Sequence, residues 1–153
     1  MARFKFPLQA LLHMRERAER DEQLAFAALE HDRVSLQQEL AHVQGNIAQA
    51  QHDARALLDP NAGTIDLQAA RWQAHAALHQ QALAGQLRVS LSGAQVRSDQ
   101  QRERLLRASI ARRALERLRE RRMAEWSLEQ KRREQFEQDD VATQRAARAR
   151  KEG

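Results

Sequence analysis

The sequence has no cysteine, two prolines, five glycines, two tryptophans, four phenylalanines and no tyrosine among 153 residues. Each shortage removes a class of protein. Without cysteine there are no disulfides and no thiolate metal sites, and a reducing compartment is allowed. So few aromatic residues, with apolar content dominated by Ala and Leu, furnish a narrow helical seam more easily than a globular core. No apolar run approaches a membrane-spanning length. Near the start, Phe4, Phe6, Leu8, Leu11 and Leu12 give way quickly to Arg15-Glu16-Arg17, too short and too mixed for a signal peptide. Abundant Ala, Leu, Gln, Glu and Arg favour helix.

Proline and glycine fall together once, in Asp59-Pro60-Asn61-Ala62-Gly63, between two long helix-forming stretches. Before this turn, Leu36, Leu40, Val43, Ile47, Ala50, Ala54 and Leu57 alternate steps of four and three, an apolar seam at heptad spacing. Upstream, Leu11, Met14, Ala18, Ala25 and Leu29 continue the stripe. Its frame drifts across 18–36, with Asp21 or Glu22 and Asp32 or Arg33 at seam positions. After the turn, Asp66 or Thr64 caps a second helix, with Asp66 preferred. Its face runs through Trp72, Ala76, Leu83, Leu87, Leu91, Ala94, Gln101, Leu105, Ala108, Leu115 and Leu118.

The expected fold is all-α: an elongated antiparallel two-helix coiled-coil hairpin forming one domain over 1–153. Helix 1 covers about 7–58, the turn 59–65 and helix 2 about 66–148. Gly85 and Ser90-Leu91-Ser92-Gly93 allow a break, with a short extra helix near the tip. Folding back at residue 62 places Leu8 opposite roughly Glu116 and leaves an overhang beyond about Met123 without an intrachain partner.

Charge is uneven. The net +5 concentrates in residues 101–153, which carry sixteen Lys and Arg against ten Asp and Glu. Nine arginines between Arg102 and Arg122 could contact phosphates, but they occupy several helix faces among leucines, as on a solvated coiled-coil flank. His75 and His79 have two-ligand spacing, without a third ligand or the glutamate of a metalloprotease helix. Asp139 and Asp140 point about 100° apart on a helix and make no acid–base pair. A two-helix hairpin has no deep pocket to shape an active site. The reading is therefore of a non-enzyme with no cofactor, metal, nucleic acid or small-molecule substrate. The Phe4–Met14 face, its positive charge diluted by acids, suits helix or protein packing better than lipid.

The two ends together resemble the flagellar FliJ family, coiled-coil stalk proteins of the type III export apparatus. Phe4-Lys5-Phe6-Pro7-Leu8, then Leu11-Leu12 and Arg15, matches its opening pattern. Leu115, Leu118, Arg121, Trp126, Glu129, Lys131, Glu134 and Asp139-Asp140-Val141-Ala142 resembles its charged closing helix. The resemblance implies a monomeric stalk in the cytoplasm, peripheral at the inner membrane. It would bind the export ATPase hexamer, the membrane export gate protein and export chaperones, in flagellum biogenesis, protein transport and motility. On that basis Phe4, Phe6, Leu8, Arg121, Trp126, Asp139 and Asp140 are expected to bind the ATPase. The 36–87 end would meet the gate or the chaperones. Virulence-type secretion stalks share the layout, and a generic structural coiled coil, a homodimer or a nucleic-acid organiser is the rival reading.

Overall fold

The structure, a computed structural model, describes residues 3–152; Met1, Ala2 and Gly153, at the ends of the expected 1–153 domain, lie outside them. Two long helices, α1 (Gln9–Leu57) and α2 (Leu67–Glu152), pack against each other as a helical hairpin, with a single 3-10 turn at Pro60–Ala62 between them. Gly85 and Gly93 lie within unbroken α2, so the break weighed at 85–93 is absent. The only short extra element near the tip is the 3-10 turn. Good helix formers on both sides outweigh the roughly 1 kcal/mol that each internal Gly costs.

The turn is built from local hydrogen bonds. Asp59 accepts from the Asn61 N–H at 2.9 Å, and Asp66 accepts from Gln68 and Ala69 at 3.1 and 2.9 Å, satisfying donors of the first turn of α2. Gly63 sits between them at φ 108°, ψ −127°, a conformation a Cβ strains. Gly63→Ala is therefore expected to destabilise the hairpin by about 1–2 kcal/mol, seen as a lower thermal midpoint with helicity unchanged. Space is not the obstacle, since nothing stands within 4 Å of a Cβ added there.

The chain divides into two compact units, Asp21–Leu106 and Met1–Arg20 with Arg107–Gly153. In the first, the helices run antiparallel around Val43, Ala84 and Leu87, against which Leu36, Leu40, Ile47 and Leu83 are partly buried. The inward face of α2 keeps strict heptad spacing through Ala70, Gln73, Ala77, Gln80, Ala84, Leu87, Leu91, Ala94, Ser98, Gln101 and Leu105, all buried or half-buried. Trp72 and Ala76, expected on that face, are exposed, Trp72 at 73 %. Small and amide side chains fill the seam beside the tip, and the indole, too large for that gap, points out. Gln80 carries the cost of this composition, because its buried Oε1 lacks a hydrogen-bond partner among the described residues.

Near the tip, Ala50 and Ala54 share a groove with Ala74 and Ala77. Folding back symmetrically at residue 62 would have put residue 70 opposite Ala54. The partner comes about one helical turn later, at Ala74.

In the second unit, α1 starts after a turn at Pro7 and Leu8. The Phe6 carbonyl accepts from Gln9 N–H at 3.2 Å and that of Leu8 from Leu12 N–H at 2.9 Å. Leu12 is buried at 1 %, whereas Met14, Ala18 and, in the other unit, Ala25 face solvent. The inward stripe instead passes through Glu16 and Glu19 in this unit and through Glu22, Phe26 and Leu29 in the other. Two successive steps of three, 16–19–22, replace the usual three and four, and this is the drift visible in the sequence.

Candidate functional site

Residues 3–6 are non-helical and lead into the turn that starts α1. Pro7 supports this arrangement by fixing φ and offering no N–H. Phe6 is buried, and the Phe4 ring lies 5.9 Å from the Trp126 indole at an interplanar angle of 53°. Such a tilted aromatic pair gains about 0.5–1.5 kcal/mol beyond the area it buries. Phe4, Phe6, Pro7 and Leu8 then form one wall of an open groove whose other wall is Leu118, Arg122 and Trp126, with Glu125 and Glu129 at its rim. The rim ion pairs, Arg122–Glu125 at 3.3 Å and Arg133–Glu129 at 2.6 Å, are exposed and add little stability.

Four of the residues singled out in the sequence, Phe4, Phe6, Leu8 and Trp126, thus meet at one place. Trp126 has an intrachain partner, which corrects the expectation that everything beyond Met123 overhangs. The register is later than expected here too, so Phe4 reaches Trp126 instead of residue 120. Arg121 is exposed and outside the groove. Asp139 and Asp140 are exposed, thirteen and fourteen residues beyond Trp126, or roughly 20 Å along the helix axis. From 131 to 150 every residue is exposed and helical. Phe136 at 72 % and Val141 at 46 % are apolar points on an otherwise polar surface.

Of the expected seam residues, Leu36, Leu40, Ile47 and Leu83 border the Val43–Leu87 cluster, and Leu57, Leu105 and Leu115 are half-buried. Interrupting this apolar seam is a polar stretch that the sequence only hinted at. In the unit holding the termini, Arg112 binds both Glu19 across the helices and Glu116 one turn along α2. Burial opposes the charge on Glu19, but hydrogen bonds from Arg112 and Ser109, with the charges of Arg112 and Arg113, outweigh it and hold the carboxyl below its ordinary 4.5. In the other unit, the Gln101 amide donates to the Glu22 carboxylate and, at 3.3 Å, to the Glu22 carbonyl. Ser98 there donates to Glu30, which Arg33 also binds at 3.0–3.2 Å. Hydrogen bonds from Arg33 and Ser98 lower the Glu30 pKa. The detectable signal was the heptad frame of α2, which places Ser98, Gln101 and Arg112 inward.

Trp72 lines a shallow surface patch with Gln68, Arg71 and His75. Among the described residues, no group of three or more His, Cys, Asp or Glu is placed to hold a metal ion, and no helix is long and apolar enough to cross a membrane.

An antiparallel helix pair with open surface grooves, an aromatic contact at its terminal end and a bare helical extension defines a helical coiled-coil protein. Comparison with known families gives the class its place. The chain belongs to the flagellar FliJ protein family, whose description, Flagellar FliJ protein, matches residues 4–151. Membership makes it a component of the flagellar export apparatus, serving flagellum biogenesis and protein export. No curated protein and no solved structure matched the chain.

Proposed function

We propose that the chain is a non-enzymatic stalk that binds the export ATPase ring through its terminal end and promotes the ring's assembly and activity. The observation that carries this reading is the Phe4–Trp126 contact at the base of a twenty-residue stretch of α2, 131–150, in which every residue is exposed. A clasped aromatic end fixes the origin of the extension, and the extension offers bare, mixed-charge surface of the kind a ring-shaped partner can surround. Phe4, Phe6, Leu8 and Trp126 act in this reading as the anchor, with Arg121, Asp139 and Asp140 as charged contacts along the helix. The 36–87 end serves the export gate and the export chaperones. The protein works in the cytoplasm against the inner membrane, as a monomer, without cofactor, nucleic acid or small-molecule substrate; ATP chemistry stays with the partner.

The test is truncation after Gln130, which spares the aromatic contact. Stimulation of ATP hydrolysis by the purified ATPase is expected to disappear, while the thermal midpoint of the remaining hairpin stays within a few degrees of the full chain, since residues 131–150 are all exposed. Stimulation that persists after the truncation overturns the assignment of this end.

A further inference from the structure

Three cross-helix hydrogen bonds run the same way: Ser98, Gln101 and Arg112 on α2 donate to Glu30, Glu22 and Glu19 on α1. Apolar seam residues specify register poorly in this chain. Val43 packs with Ala84 and Leu87; after a slip of one heptad in one direction it would meet Leu91 and Ala94, the same two residue types, and in the other Ala77 and Gln80. The connection does not forbid such a slip either. Moving α2 by seven residues is about 10 Å of travel, and the nine residues between Leu57 and Leu67 can span roughly 30 Å when extended.

The polar positions respond differently. A one-heptad slip in either direction sets Arg112 opposite Leu12 or Phe26, Glu22 opposite Ala94 or Ala108, and Glu30 opposite Leu91 or Leu105. Of the six new positions that the three carboxylates would face, only Arg119, opposite Glu19, offers a donor. At the other five the carboxylate faces Leu or Ala: Glu19 and Glu22 lose their cross-helix donor with nothing in exchange, and Glu30 loses Ser98 and keeps only Arg33 of its own helix. A single polar residue in a coiled-coil seam can set register at a cost in stability. We propose that Glu22 and Glu30 with Gln101 and Ser98 in one unit, and Glu19 with Arg112 in the other, each form a register lock that holds α2 at one offset along α1. The apolar seam supplies adhesion, and the polar stretch supplies position. A lock made of hydrogen bonds also sets how firmly one helix resists being pushed along the other.

The absence of cysteine makes the test direct. Ala50 and Ala77 line one groove across the seam, and a one-heptad slip replaces Ala77 by Ala70 or Ala84. Oxidation of A50C/A77C in the otherwise unchanged chain is expected to cross-link efficiently, and A50C/A70C and A50C/A84C to stay at background. In a background with all six polar residues changed to Leu, A50C/A84C should rise to a yield comparable with A50C/A77C and A50C/A70C to a smaller one, since that slip sets Val43 against Gln80, although the apolar seam melts higher. E19L/R112L, a milder change, should show a smaller rise. E19R/R112E, which inverts the pair and keeps it, should retain the native pattern. Cross-linking confined to A50C/A77C in both Leu backgrounds overturns the proposal, as does efficient cross-linking of the slipped pairs in the unchanged seam.

Discussion

Replacing Leu12 with Ala is expected to destabilise the protein by about 2–3 kcal/mol, a loss of roughly 5–10 °C in thermal midpoint for a chain of this size. Leu12 is the one large side chain wholly buried among the described residues, at 1 % exposure. The change removes the transfer free energy of three carbons and leaves a gap that helix backbones close only in part. The value falls in the lower half of the usual Leu→Ala range because a seam between two helices has solvent on both flanks and relaxes more than a globular interior. Met14→Ala is the control. Met14 is 58 % exposed, and its truncation should shift stability by no more than about 0.5 kcal/mol. Equal losses for the two variants would show that α1 presents a different face from the one described.

Arg112→Leu is the second large effect, and its signature is the dependence on pH. In the native protein, Glu19 titrates below its ordinary 4.5. Its lowered pKa therefore contributes stability that is present above about pH 4.5 and lost as pH falls through the folded value. Removing Arg112 deletes the strongest groups that favour the charge and leaves burial, which opposes it, with Ser109 and Arg113 as the remaining support. The variant should therefore unfold far more readily than the native chain at pH 7. The two melting curves should converge on acidification, once the carboxyl is protonated in both. E19L/R112L removes donor and acceptor together and should recover most of the loss at neutral pH. A gap between native and R112L chains that stays constant from pH 7 to pH 3 would mean that Arg112 acts through packing of its aliphatic stem and not through Glu19.

Much of this fold is legible because heptad spacing is a strong signal when apolar residues are large. Leu36, Leu40, Val43 and Ile47 announce their face, and Asp59-Pro60-Asn61-Ala62-Gly63 announces the reversal. The signal fails where the seam is made of other residues. Beside the tip it consists of Ala70, Gln73, Ala77 and Gln80, which look like surface, so Trp72 attracts the eye. Charged residues at Glu19, Glu22 and Arg112 read as interruptions because each is expensive to bury alone; only the three-dimensional pairing shows that each has its partner. Leu11 and Leu12 are adjacent, and which of them is fully buried is set by the turn at Pro7 and Leu8, not by their own chemistry. The candidate site was half legible for a related reason. Phe4, Phe6, Leu8 and Trp126 all stand out in the sequence, but a register error of about six residues separates Trp126 from its ring partner.

The connection between Leu57 and Leu67 also has a kinetic consequence. Contacts beside it, such as Ala54 with Ala74, close a loop of 20 residues, whereas Phe4 with Trp126 closes one of 122. On loop-closure entropy alone, nucleating the hairpin at the aromatic end costs about 1.6 kcal/mol more than nucleating it at the turn. Folding is therefore expected to zip outward from the turn. The Phe4–Trp126 contact is then the last made during folding and the first released by thermal fluctuation, and within the paired stretch, apart from the exposed 131–150 helix, amide exchange should be fastest at residues flanking it.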